Sequence, residues 1–350
     1  LSNLLNPFIS FPACGCPPAC CIAGGWTEIG RTTLSSAGDC ITVSCLPYHR
    51  QYQVLVNSID TDIVRVRGRF NADSGCTYAS RVSLLDATDT TFLSDCVFYL
   101  DTTGGRIDCS FSVFTVDNVN VCENIGISHF VSREAAGSGF APERCEVVFK
   151  WQTDCVITSF TAHNPVACQE FAIGSEVVVL GSCNPDQCMN FWELLTTATA
   201  SGCPTSLTTC VFTTKKYLYM QAYMSQSTTS TYHFRFGTTT LDTGCNYSYN
   251  HSRDGAQGAN TDRCFLLLDI SASAENLHGD FYISNVCGNE KTASGHSSHI
   301  VTAGAATPPQ RTEFAYKWDI TSGQIDVIGL FRSAGSGVLT QGYIKVWGHD

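Results

Sequence analysis

Along most of this chain apolar and polar residues alternate with a period of two. Tyr52, Val54 and Val56 alternate with Gln53, Leu55 and Asn57. Val64 and Val66 alternate with Arg65, Arg67 and Arg69, and Tyr232, Phe234 and Phe236 with His233 and Arg235. A period of two sends successive side chains to opposite faces of an extended strand. Val147, Val148 and Phe149 lead into Trp151, and Ile173 to Leu180 and Tyr343 to Trp347 read as closing strands. Val, Ile, Thr, Tyr and Phe dominate these runs, and Gly, Asn, Asp and Ser punctuate them every eight to twelve residues or so. No helix longer than a turn or two is predicted. The expected class is all-β, built from jelly-roll-like antiparallel sandwiches.

The pattern occurs twice. Trp26 is answered by Trp192, Arg69-Phe70 by Arg235-Phe236, and Gly75-Cys76-Thr77-Tyr78 by Gly244-Cys245-Asn246-Tyr247. Cys96 and Asp101 bracket a run answered by Cys264 to Asp269; Asn120-Val121-Cys122 is answered by Asn285-Val286-Cys287, and Phe149-Lys150-Trp151 by Tyr316-Lys317-Trp318. The spacing between partners stays between 165 and 169 residues. So small a drift marks a tandem duplication with a few loop insertions. Four segments follow: an arm over 1–25, module 1 over 26–181, a Cys-containing linker over 182–190, and module 2 over 191–350.

Composition narrows the chemistry. Charged residues are 15% of the chain and the net charge is −11, which leaves no positive surplus for phosphates, so no nucleic-acid partner is expected. No apolar run reaches the roughly 18 residues that would span a bilayer as a helix. The chain has 20 cysteines, and those of the two modules sit singly in apolar, β-branched runs, without the paired spacing of zinc modules. Disulfides, and hence an extracellular, cell-surface or virion-surface location, are the expectation. Cys45 and Cys210, Cys76 and Cys245, Cys96 and Cys264, and Cys122 and Cys287 occupy matched positions, so a bond in one module should recur in the other. The arm has no charged side chain and carries Pro7, Pro12, Pro17 and Pro18. Its Cys14, Cys16, Cys20 and Cys21 are candidates for bonds between subunits.

Other motifs have plain readings. Asp73-Ser74-Gly75 and Asp242-Thr243-Gly244 resemble the paired motif of pepsin-like aspartic proteases, which implies a carboxylate dyad. The residues that follow, Cys76-Thr77 and Cys245-Asn246, depart from that family, and Asp, Ser and Gly are ordinary turn residues. No catalytic residue is expected. His296-Ser297-Ser298-His299, with His129 as repeat partner of His299, reads as a polar loop, so neither metal nor cofactor is assigned. Arg65, Arg67 and Arg69 line one strand face that could grip a neighbour's carboxylates or a glycan. Asn246-Tyr247-Ser248 and Asn250-His251-Ser252 are glycosylation sequons. The paired tryptophans are expected as core anchors.

A Cys-rich N-terminal connector followed by a jelly roll resembles the subunits of bacterial endospore appendage filaments, most closely through Cys14, Cys16, Cys20 and Cys21. The module motifs also look like those of β modules on phage and particle surfaces. These resemblances imply assembly or attachment. The expectation is a structural subunit of a disulfide-stabilised extracellular filament, tube or sheath, with self as partner and the arm as connector. The alternatives are a viral capsid or fibre protein with glycan-binding loops and, third, an aspartic protease.

Overall fold

The computed structural model describes residues 25–59, 64–84, 89–101, 109–118, 123–133, 135–166, 169–182, 191–228, 230–253, 256–268, 277–299 and 310–350. The strands of module 1 are β1 (Trp26–Thr33), β2 (Cys40–Val43), β3 (Gln51–Ser58), β4 (Arg67–Phe70), β5 (Tyr78–Leu84), β6 (Thr90–Asp95), β7 (Phe98–Tyr99), β8 (Ser110–Asp117), β9 (Asn124–Ser132), β10 (Glu143–Trp151), β11 (Phe160–His163) and β12 (Glu176–Ser182). Module 2 has β13 (Glu193–Thr199), β14 (Ser206–Thr208), β15 (Tyr217–Gln226), β16 (Ser230–Thr238), β17 (Thr240–Leu241), β18 (Tyr247–Arg253), β19 (Ala256–Arg263), β20 (Leu266–Leu267), β21 (Leu277–Ser284), β22 (Lys291–His299), β23 (Gln310–Trp318), β24 (Val327–Gly335) and β25 (Leu339–His349). No helix occurs among the described residues, and so none is long and apolar enough to cross a membrane.

In module 1 the pairs β1–β12, β2–β11, β3–β8 and β4–β7 are those of one antiparallel ribbon, its first strand against its last. Rolling that ribbon brings β12 beside β3 and β11 beside β4. The result is two facing sheets with jelly-roll order. β9, β10, β5 and β6 then extend the larger sheet to eight strands, β1-β12-β3-β8-β9-β10-β5-β6, over the smaller sheet β2-β11-β4-β7. Module 2 repeats the plan, with β13-β25-β15-β21-β22-β23-β18-β19 over β14-β24-β16-β17 and β20 paired to β16. Two tandem, duplicated jelly-roll sandwiches are therefore present, as the alternation and the repeat indicate.

Each sandwich has its own core. Phe98 stacks on Phe149 at 4.1 Å and on Phe70 at 4.8 Å in module 1, while Phe281 stacks on Tyr316 at 5.4 Å in module 2. A third apolar cluster lies between the modules. Val177 and Val179 point into the module 1 core, but Val178 and Leu180 point outward and pack with Leu55, Phe111, Phe191, Trp192, Tyr217 and Trp347. That explains the unbroken apolar run in β12: a strand covered on both faces has no polar side to alternate with. The run was expected from Ile173, but the strand starts at Glu176. Ile173 is exposed in a turn closed by Ser175 N–H to Ala172 O, with Gly174 at φ +88°.

Hydrogen bonds and ion pairs cross the seam. The Gln53 side chain donates to Tyr282 Oη at 3.0 Å, and Ser284 Oγ donates to Asn57 at 2.8 Å. Residues 135–140 of module 1 lie on module 2: Ser138 Oγ donates to Asp262 at 2.8 Å, and Lys317 Nζ donates to Ala135 O at 2.6 Å. Arg144 forms a buried ion pair with Glu313, which Arg311 also contacts at 2.5 Å. Glu176 accepts from Tyr217 Oη at 2.7 Å and pairs with Lys216 at 2.9 Å and Arg31 at 3.1 Å. Burial pushes the Glu176 carboxyl up, but hydrogen bonds from Thr33, Lys216 and Tyr217 outweigh it and hold the group below its ordinary range.

Glu176→Ala is expected to cost about 3 kcal/mol, because it strips a buried carboxylate from cations and a hydroxyl placed around it. The folded-state pKa of Glu176 is depressed, so its contribution is present above the unfolded value near ~4.3 and lost as pH falls through the folded one. Urea unfolding of wild type and variant at ~pH 7 and ~pH 3 should show the difference shrinking on the acid side.

Candidate functional site

The two Asp-Ser/Thr-Gly motifs are matching latches. In module 1, Asp73 Oδ1 accepts the Gly75 N–H at 2.8 Å, while Oδ2 accepts Thr77 Oγ1 at 2.7 Å and Trp151 Nε1 at 2.8 Å. In module 2, Asp242 accepts Gly244 N–H, Asn246 Nδ2 and Trp318 Nε1, each at 2.8 Å. A turn carboxylate thus satisfies the indole of a buried tryptophan. Burial raises both carboxyls, and these donors more than reverse it, so both sit below the ordinary range. Every one of these donors comes from the aspartate's own module.

Among the described cysteines, Cys40, Cys45, Cys76, Cys96, Cys155, Cys203, Cys210, Cys245, Cys264 and Cys287 are free thiols in this structure, and Cys109 and Cys145 are buried. Cys14, Cys16, Cys20, Cys21 and Cys122 lie outside the described residues. Two pairs stand out by register. Tyr247 pairs with Arg263, which sets Cys245 and Cys264 on facing segments. The Cys264 thiol is close enough to the exposed Cys245 thiol to hold its pKa up. Tyr78 pairs with Asp95, which gives Cys76 and Cys96 the same placement in module 1. Arg69 Nε donates to Cys96 O at 3.1 Å, and Arg235 Nε to Cys264 O at 2.9 Å, so both modules hold the second cysteine in the same way. Cys45 and Cys210 are not strict equivalents. Leu46 and Phe212 occupy the same ladder position, which puts Val211, not Cys210, opposite Cys45 in the repeat.

The arginine row is not a free face. Arg67 is 4% exposed; its guanidinium donates to Asp101 O and lies 4.1 Å over the Tyr99 ring. With Arg69 bound to Cys96, only Arg65 keeps a guanidinium uncommitted to a neighbouring carbonyl or ring. Val64, Val66 and Phe70 point into the core, so the three arginines do share the other face, but that face is partly covered by Tyr99, Asp101 and the Cys96 segment. Of the sequon asparagines, Asn250 is buried on β18 and Asn246 is spent on Asp242. Trp151 and Trp318 are core anchors, whereas Trp192 and the partly buried Trp26 pack in the seam between modules.

Among the described residues, a cluster of chemistry-bearing side chains lies in that seam. His296 and His299 stand on strand β22, not in a loop, and His299 is buried with Nε2 2.7 Å from Gln310 Oε1. The register also corrects the repeat partner. Asn124 faces Trp151 as Lys291 faces Trp318, so His129 corresponds to His296 rather than His299. These two rings meet edge to face with centroids 4.2 Å apart. Glu146, the cross-strand neighbour of His129, lies 3.7 Å from His129 Nδ1 and 3.8 Å from His296 Nε2. Burial and the neighbouring His296 push His129 down to about 3, while His296 and His129 hold Glu146 down to about 2. Asp280, the cross-strand neighbour of His296, shares a cavity of about 140 Å³ with both rings; burial pushes its carboxyl up. Sequence reasoning missed Glu146 and Asp280. The signal was a constant offset: His129/His296, Glu146/Glu313 and Trp151/Trp318 are each 167 apart.

Module 1 also carries a shallow apolar groove of about 700 Å³ on its large sheet, walled by Leu93, Ile125, Ile127 and Val148 with Phe149 beneath. Those four wall residues are exposed. The corresponding positions on module 2 include Thr292, Ser294 and Ala315, and Ala315 is buried in the seam.

No family model matches the chain, and no curated protein does. Among solved structures, mouse laminin alpha1 chain domains LG4-5 align at 8% identity over 97% of this chain and 92% of that one, with a TM-score of 0.19. A Sputnik virophage structure aligns at 8% identity over 99% and 90%, with a TM-score of 0.11. Acinetobacter baumannii OccAB4 aligns at 11% identity over 85% and 68%, with a TM-score of 0.12. Similarity this slight fixes neither a fold family nor a function.

Two outcomes follow from the latches and the cysteines. Asp242→Ala leaves the buried Trp318 N–H unpaired and should cost about 2 kcal/mol, and Asp73→Ala should do the same through Trp151. Thermal unfolding of each variant checks this. Exposure to dissolved oxygen should join Cys245 to Cys264 and Cys76 to Cys96, each pair giving up two protons and two electrons to the oxidant. Peptide mapping without reductant should recover both cross-links. Finding Cys245 linked elsewhere would count against the register argument.

Proposed function

We propose that this protein is a structural subunit of a self-assembling, disulfide-stabilised extracellular assembly, in which the arm of one copy docks on module 1 of the next. The observation that carries this reading is the open apolar groove of module 1, set on an otherwise well-paired double sandwich. Its occupant is residues 1–25 of a second copy. That segment lies, but for Gly25, outside the described residues; its sequence is uncharged and offers Leu4, Leu5, Phe8, Ile9 and Phe11. An apolar wall facing water costs free energy that an apolar strand would recover. Prolines keep such a strand extended and lower the entropy cost of holding it there. Cys14, Cys16, Cys20 and Cys21 would then lock the joint covalently. Two sandwiches locked along a buried seam make a stiff building block, as load-bearing repetition requires.

A second reading, a subunit of a virion shell, is supported by the rolled-ribbon strand order, which viral capsid domains use. It shares the self-association and differs in the closure of the assembly.

Electron microscopy of the full chain under oxidising conditions should show ordered assemblies that survive SDS and dissolve when reductant is added. Deleting residues 1–21, or introducing Ile127→Asp with Val148→Asp, should leave folded monomers. Open filaments or sheets support the first reading and closed shells the second. Unimpaired assembly by the truncated chain would remove the arm from the account.

A further inference from the structure

We propose that His129, His296 and Glu146 form a binding site for a divalent transition-metal ion that clamps module 1 to module 2. The three donors come from β9, β22 and β10, so the ligand set exists only when the two modules are docked. The donor atoms all lie within 4.8 Å of one another. Both ring nitrogens point at the same carboxylate oxygen, at 3.7 and 3.8 Å. Ligands at the usual bond lengths of about 2.0–2.1 Å around a tetrahedral ion lie roughly 3.3 Å apart. A contraction of roughly 0.4 Å brings the Glu146 oxygen to ligand spacing from each nitrogen, and rotation of the two imidazoles, whose donor atoms lie within 4.8 Å, closes the rest of the set onto an ion.

Both separations exceed the roughly 3.2 Å of a well-formed hydrogen bond, so drawing the three groups onto an ion gives up no short bond between them. Two imidazoles with one carboxylate select zinc, cobalt, nickel or iron over calcium and magnesium, which take oxygen shells. The adjoining cavity of about 140 Å³ provides the fourth position. Gln53, Asp280 and Tyr282 line it, so either the Asp280 carboxylate or a water held by these groups completes the shell. The site uses one repeat-equivalent histidine from each module, as a ligand on the axis of a near-symmetric contact would. It does not depend on the assembly reading, since the clamp operates within one chain.

The test uses the full chain, with accessible thiols alkylated so that they cannot hold metal, after chelator treatment and dialysis. Cobalt(II) or zinc(II) is then added and the bound metal counted. The expected result is one ion per chain, cobalt d–d bands without a thiolate charge-transfer band, and a raised unfolding temperature. His129→Ala, His296→Ala and Glu146→Gln should each weaken binding more than tenfold, and His163→Ala, on the opposite sheet of module 1, should leave it unchanged. The cobalt spectrum of the wild type keeps the test decisive if a variant fails to fold. Absence of a retained ion, a thiolate-type spectrum, or equal binding by the folded His129→Ala/His296→Ala double variant would overturn the proposal.

Discussion

The fold depends on burying part of the outer face of each large sheet as well as its inner face. A jelly roll by itself covers one face of each sheet, and a single copy of this module would leave Leu55, Phe111, Val178 and Leu180 in water. Each such side chain gains roughly 1.5–3 kcal/mol from full burial. The second copy supplies the cover. Once the two sheets face each other, the charged groups between them must be paired, because an unpaired buried charge costs more than a lost contact. Glu176 with Lys216, Arg144 with Glu313 and Arg133 with Glu290 meet that demand. Duplication thus serves as the means of completing the core.

The same reasoning accounts for the residue patterns that look like chemistry. Asp73 and Asp242 hold a buried indole N–H, and the glycine two residues on supplies the backbone donor that closes the turn. A protease-like tripeptide is what a turn needs when it must also satisfy a tryptophan. Arg69 and Arg235 brace the cysteine-bearing segment of their own module. These features recur in both copies because they stabilise the sandwich.

Much of the fold was legible in the chain. Alternation and turn residues mark the strands, and the matched landmarks reveal two modules. The both-face burial left a trace in the unbroken Val177-Val178-Val179-Leu180 run, which from sequence alone reads only as a closing strand. What one dimension hides is the register between modules. Arg65, Arg67 and Arg69 alternate as a strand face should, but whether that face meets solvent depends on Tyr99 and Asp101 arriving from another part of the chain. His129 and His296 are 167 residues apart, and only the docking of β9 against β22 brings their rings together. Glu146 went unremarked for the same reason.

The rolled ribbon also sets an order of events at synthesis. Trp26 pairs with Ser182, so the first strand of module 1 waits for the last, and the β1-β12 edge of its sheet closes only at the end. Such long-range pairing folds slowly. As the chain leaves the ribosome, module 1 is finished while much of module 2 is still unmade. Until β15 and β25 arrive, the outward row of Val178, Leu180 and Phe111 has nothing to cover it. A nascent chain at that stage presents an apolar sheet to every neighbour on the same messenger, a natural target for a chaperone and the point at which crowded expression would fail.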